Sequence, residues 1–165
     1  MNSDPDTRHK LIEILQKFDT VMVVNEGRDG TLHGRPMAVA DITPSGELWF
    51  VTSRDSEKAR EVAEEARTVV TGQQHGAYVS ITGRMDVVND RERVHALWKD
   101  AWKVWFPNGV SDPEIVLLRL DPDAGEYWST GGTAGIRYLF EAAKALVNGD
   151  RPATTEPEQH AKVAM

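Results

Sequence analysis

The sequence predicts an antiparallel β-barrel or sheet with helices at its periphery. Roughly six or seven short runs of β-branched and aromatic residues recur along it, and tight-turn residues join most of them. Helical periodicities fall between groups of these runs rather than after each one, so the pattern is not that of a doubly wound sheet. A length of 165 residues with 40% hydrophobic content suits one domain with a proper core. We assign that domain to residues 1–147, and residues 148–165 to a flexible C-terminal arm.

Leu11, Ile12, Leu15 and Phe18 stand at helical spacing, predicting an opening helix over Thr7–Phe18 after acids that suit its first turn. Thr20–Asn25 is a β-branched run. Gly27-Arg-Asp-Gly30 would reverse it into a strand over His33–Ile42. Pro44-Ser-Gly46 makes a second reversal into Glu47–Thr52. A helix over Ser56–Ala66 would then bury Ala59, Val62, Ala63 and Ala66. Thr68–Gln74 and Ala77–Val88 read as an antiparallel pair joined through Gly76. In the second of these Val79, Ile81, Met85 and Val87 share one face, and Tyr78, Ser80, Thr82, Arg84 and Asp86 a wet or ligand-facing one. Asp90 caps a helix whose stripe runs Val94, Leu97, Trp98, Ala101, Trp102, Trp105, closed by Phe106-Pro-Asn-Gly109. Strands over Glu114–Leu120 and Gly125–Ser129 would be separated by an Asp-Pro-Asp turn. A last helix over Thr133–Val147 precedes a loop-like tail from Asn148 to Glu158.

The formal charge of −7, spread along the chain, disfavours nucleic acid as a partner. Without cysteine there are no disulfides, thiolate nucleophiles or sulfur-ligated metals, and the five histidines form no recognised metal-ligand spacing, so no metal is expected. No run is long and apolar enough to span a bilayer, and the first residues do not resemble a signal peptide. The expectation is a cytoplasmic protein that does not engage membranes.

The segment richest in chemistry is Leu48-Trp-Phe-Val-Thr-Ser-Arg-Asp-Ser-Glu-Lys58, a strand turning through hydroxyls into a helix that carries a lysine. Unpaired amides and the positive end of the helix dipole at such a corner can hold a phosphate. Thr52, Ser53, Asp55 and Ser56 are also ordinary N-cap residues, and read alone they are first of all caps. Pro36 in Gly34-Arg-Pro-Met-Ala-Val39 lacks an N–H, which puts this segment at a sheet edge or strand start and leaves nearby backbone groups free for a ligand. Arg35 is either a surface strand residue or a second cation beside Lys58. Trp98, Trp102, Trp105 and Trp128 are core residues by default, although so many in one short stretch also suit the wall of a planar ligand. Gly131-Gly-Thr-Ala-Gly135 lacks the ending of a phosphate-binding loop and reads as a flexible turn.

Taken in order, Gly34-Arg-Pro-Met37, Leu48-Trp-Phe-Val-Thr52 with Ser56-x-Lys58, Gly83, Asp90-Arg91, Leu97-Trp98, Trp105-Phe-Pro-x-Gly109, Asp112-Pro113 and Glu126-Tyr-Trp128 resemble one family. It is the general stress protein 26-like branch of the pyridoxamine 5′-phosphate oxidase-related, FMN-binding split-barrel superfamily, and the likeness covers His9 to Val147. The resemblance implies a six-stranded antiparallel split barrel, a homodimer, and an FMN in each interface cleft, with FAD or a deazaflavin as alternatives. It assigns Arg35, Pro36, Met37, Ala38 and Val39 to the isoalloxazine ring. Phe50, Val51, Thr52 and Ser53 go to the strand at the ribityl-phosphate region, Ser56 and Lys58 to the phosphate, and Trp105 and Phe106 to a cover over the ring. The C-terminal Glu158–Val163 resembles a short terminal strand of that family. In the oxidase proper an arginine precedes the lysine, whereas here Glu57 does, so that either the phosphate clamp is weaker or Arg54 replaces that cation. The oxidase's C-terminal Arg-Leu-x-Pro is also absent, so pyridoxine phosphate oxidation is not implied. The function expected is a flavin-dependent oxidoreductase with a nicotinamide donor and an unidentified small-molecule acceptor. A non-catalytic flavin sensor and a deazaflavin reductase remain as rivals, with no catalytic residue assigned.

Overall fold

Eight strands form one antiparallel sheet in a computed structural model that describes residues 5–74, 76–129 and 159–165. The elements are α1 (Pro5–Leu15), β1 (Thr20–Glu26), β2 (Leu32–Ala38), β3 (Asp41–Ile42), β4 (Leu48–Ser53), α2 (Glu57–Glu64), β5 (Arg67–Gln74), β6 (Ala77–Val88), α3 (Arg91–Leu97), β7 (Ile115–Ser129) and β8 (Gln159–Ala164). Two short 3₁₀ segments, Asp100–Val104 and Gly109–Ser111, lie between α3 and β7. The strand order is β2-β1-β5-β6-β7-β4-β3, with β8 added on β7. The sheet curls, bringing β2 round to β4. There the Ala40 amide donates to the Trp49 carbonyl at 2.8 Å. The split-barrel class is therefore observed, with β3 and β8 raising the strand number to eight.

The concave side holds the main core. Alternation on β1, β5 and β6 directs Val21, Val23, Val70, Val79 and Ile81 inward against Leu11, Leu15 and Phe50. Phe18 is buried there too, although α1 ends at Leu15 and Phe18 lies in the turn that follows. A second core around Trp49, Val94, Trp102, Phe106, Ile115 and Leu117 seats α3 and the 3₁₀ segments against β4 and β7. Among the described residues no helix is long and apolar enough to cross a membrane.

Several local expectations are corrected. Asp121-Pro122-Asp123 is not a turn: β7 runs unbroken through it, and the register with β6 slips by one residue between Thr82 and Gly83. A strand with no partner groups to satisfy would turn here, but β6 pairs along nearly its whole length with β7 and holds the segment as a bulge. Gly83 is required at that point because a Cβ would run into the Asp121 carbonyl oxygen. The tryptophan helix is also broken. The backbone turns out of helix at Trp98 and is extended at Lys99, so the Trp stripe does not lie on one cylinder. The break lets Trp102 and Phe106 both enter the second core, with Trp98 edge-on to Trp102 at 5.8 Å, while Val104 and Trp105 turn outward. The strand expected over His33–Ile42 is interrupted at Val39 and Ala40, which reach to Asp19 and Trp49 instead of continuing along β1. On α2 the buried stripe is Ala59, Glu61 and Val62, with Ala63 exposed. Val87 is likewise exposed, at the end of its strand. The helix expected over Thr133–Val147 and the tail from Asn148 to Glu158 lie outside the described residues. The terminal strand is present as β8, which tucks Val163 into the main core.

Candidate functional site

A cleft of about 420 Å³ opens between β2, β4, the start of α2 and the 3₁₀ segment. Its lining comes from four separate stretches: Pro36, Met37 and Ala38; Val51, Thr52 and Ser53; Ser56 and Lys58; and Trp102, Trp105 and Phe106. That volume and the mixture of apolar walls with a few polar groups are those of a small-molecule site.

One end of the cleft is polar. Ser56 caps α2: its Oγ accepts from the Ala59 amide at 3.3 Å and lies 3.0 Å from Thr52 Oγ1. A hydroxyl has a donor and two acceptor positions, so capping leaves Ser56 able to meet a further group. Lys58 is half-buried, and among the described residues no carboxylate pairs with it. Its amine is held below its ordinary basicity, first by partial burial and then by the charge of Arg35. A dehydrated cation without a counter-ion, beside a helix start, favours an anion in the cleft.

The other end is aromatic and open. Phe106 and Trp102 are buried and form its floor, while Trp105 stands at the mouth, 66% exposed. β2 is the last strand of the sheet path, and among the described residues no strand pairs with its outer edge along the cleft wall.

Behind β2 a second polar group is assembled. Glu61 is buried on α2 and accepts three hydrogen bonds: from Arg35 Nη1 at 2.6 Å, His33 Nδ1 at 2.7 Å and Asn25 Nδ2 at 2.9 Å. Arg35 above all, followed by His33 and Asn25, outweighs burial and holds its carboxyl down at about 2. Arg35 Nη2 reaches outward to Glu57 Oε2 at 3.2 Å. The nearest donor atoms of His33, Glu57 and Glu61 lie within 4.8 Å of one another, a possible metal set that the sequence did not disclose. The Arg35 guanidinium occupies the space between them and neutralises the carboxylates.

Of the residues nominated by the resemblance, the cleft brings together Pro36, Met37, Ala38, Val51, Thr52, Ser53, Ser56, Lys58, Trp105 and Phe106. Three lie elsewhere. Phe50 points into the main core, Val39 packs against that core, and the Arg35 side chain is turned toward α2. Arg54, the substitute cation, donates to the Pro113 carbonyl at 3.2 Å and is not in the lining. Trp102, read as a core residue by default with a ligand wall as the alternative, serves both core and cleft. Glu61 and Asn25 went unnoticed, although a carboxylate one turn after Glu57 and an Asn at a core-facing strand position were the available signals.

The family model for pyridoxamine 5′-phosphate oxidase-like proteins matches residues 6–153. General stress protein 26 of Bacillus subtilis (strain 168) is 24% identical over 72% of this chain and 85% of its own length. The structure of a candidate general stress protein 26 from Jannaschia sp. CCS1 is 26% identical, covering 98% of this chain and all of that one, with a TM-score of 0.73. A general stress FMN/FAD binding protein from Xanthomonas citri is 30% identical over 76% of this chain and 90% of its own, with a TM-score of 0.65. Since the family model spans nearly the whole chain and the curled antiparallel sheet agrees with it, this chain belongs to the pyridoxamine 5′-phosphate oxidase-like family.

Proposed function

We propose that this protein binds FMN in the β2–β4–α2 cleft and works as a flavin-dependent oxidoreductase supplied by a nicotinamide donor. The observation that carries the reading is the polarity of the cleft among the described residues: at one end Lys58, with no carboxylate partner, and three hydroxyls, and at the other an aromatic mouth beside a strand edge that no described strand pairs. A phosphate monoester matches the first and a planar heterocycle the second. FMN has both, separated by a ribityl chain. The relative from Xanthomonas citri, described as FMN/FAD binding, supports the same class of ligand. When bound, a flavin supplies redox chemistry that no amino-acid side chain here provides. The protein's part is to hold the phosphate on Lys58 and Ser56, line the ring with Pro36–Ala38, and shield it with Trp105 and Phe106.

A homodimer belongs to the same proposal. The outward face of β2-β1-β5-β6 carries an uncharged patch from Gly34, Pro36 and Ala38 across Met22 and Val24 to Val69, Thr71, Ser80 and Tyr78, bounded at one end by Glu26, Arg67, Arg84 and Asp86. It is continuous with the cleft through Pro36 and Ala38, so a second copy on it would also wall the cleft.

The test is the visible absorption spectrum of the purified full-length chain, followed by extraction and identification of the chromophore and by anaerobic mixing with a nicotinamide donor. Bound FMN bleached by the donor is expected. Flavin that binds but stays oxidised would reduce the role to binding or sensing. A colourless protein with no affinity for FMN would refute the reading.

A further inference from the structure

The guanidinium of Arg35 is anchored at one nitrogen and loosely held at the other. Nη1 is fixed on the buried Glu61 carboxylate at 2.6 Å, whereas Nη2 meets Glu57 Oε2 at 3.2 Å and lies 3.4 Å from His33 Nδ1, and the Glu57 side chain is 74% exposed. An exposed pair of this kind has only a small interaction energy, because water competes for both partners. Glu57 opens α2 and sits between Ser56 and Lys58, the two residues assigned to the phosphate. The charge of Arg35 is already felt at Lys58, where it disfavours the protonated amine.

Resting on the flavin-phosphate reading of the cleft given above, we propose that Glu57 sets the affinity and phosphate selectivity of this site by holding Arg35 Nη2 out of use. With Glu57 engaged, an arriving phosphate meets Lys58 as the one cation among the described residues that line the cleft. Once Glu57 is neutral, the second arm of the Arg35 fork is free to turn to the phosphate while the first stays on Glu61. Arginine permits this because its donors lie in a rigid fork; a lysine already bound to Glu61 has no second arm to offer. Glu57 therefore narrows the preference for phosphorylated over unphosphorylated flavin and keeps the cofactor exchangeable.

The experiment measures dissociation constants of FMN and riboflavin by flavin fluorescence on the full chain, in the wild type, Glu57→Gln, Arg35→Lys, Glu57→Gln with Arg35→Lys, and Lys58→Ala. Glu57→Gln is expected to tighten FMN by about 2- to 5-fold, the range for an exposed ion pair, and to leave riboflavin unchanged. In the Arg35→Lys background that gain should vanish. The proposal is overturned if Glu57→Gln does not tighten FMN, if riboflavin tightens equally, or if the gain survives in the Arg35→Lys background, which would mean plain repulsion by Glu57. A wild type that does not bind FMN, or an FMN affinity indifferent to Lys58→Ala, would instead remove the flavin-phosphate reading itself.

Discussion

Replacing Glu61 by glutamine should destabilise this protein in a pH-dependent way that can be worked out from its surroundings. Its side chain is 6% exposed and receives Arg35, His33 and Asn25. The carboxyl, held from 4.5 down to about 2, stabilises the folded state by about 3 kcal/mol at neutral pH. A glutamine keeps the volume and one acceptor but leaves Arg35 with only the exposed Glu57 as counter-ion. Arg35 is 22% exposed and recovers some hydration, so the expected loss is about 2–3 kcal/mol rather than the larger cost of a fully buried orphan charge. For a domain of this size that corresponds to a fall in Tm of about 5 to 10 °C. The sign follows from the depressed value. The stabilisation is complete above the ordinary carboxyl range and is lost as pH falls from about 4.5 toward 2, where both states bind the proton. Urea denaturation of wild type and Glu61→Gln from pH 7 to pH 2.5 should show a gap at neutral pH that closes toward the acid end. A gap below about 0.5 kcal/mol at pH 7, the size of an ordinary surface change, would refute the reasoning, as would one independent of pH.

Lys58→Ala should weaken FMN binding by about 10- to 150-fold, equivalent to a charge-assisted contact of about 1.5 to 3 kcal/mol, while thermal melting stays close to wild type; an unchanged dissociation constant would clear the lysine of any phosphate role. Trp105→Leu, at a largely exposed position, should shift stability by no more than about 0.5 kcal/mol yet relieve quenching of bound-flavin fluorescence. Intact quenching and affinity would separate Trp105 from the ring. Gly83→Ala sets a methyl against the Asp121 carbonyl, a backbone atom that cannot swing aside, and should cost about 1–3 kcal/mol or more; an unperturbed melt would mean that the bulge relaxes freely.

The corner from Thr52 to Lys58 was readable as both a cap and a phosphate seat; the fold shows the cap, and Ser56 makes it inside the lining of the cleft where the phosphate is proposed. The alternation of β6 and the hairpin between β1 and β2 were equally plain in the residue pattern. Other elements were misread for reasons local in origin. Asp121-Pro-Asp carries turn residues, but a bulge uses the same ones, and only the long partner strand β6 decides between them. The tryptophans have a 3.6-residue period that an unbroken helix would satisfy. Leaving helix at Trp98 instead buries Trp102 and Phe106 together, an advantage visible only once β4 supplies Trp49.

The amino-acid order determines what short-range physics can encode: strand and helix periods, the hydroxyl-rich helix start, and the absence of sulfur chemistry. Tertiary structure decides which distant charges meet. Glu61 is an ordinary surface-type residue until β1 and β2 bring Asn25, His33 and Arg35 to it. Arg35, which the sequence left open as a surface strand residue or a second cation beside Lys58, is held on Glu61, while Lys58 is left in the cleft lining. A buried carboxylate binds the guanidinium more strongly than open water does, and no carboxylate among the described residues is in reach of the lysine.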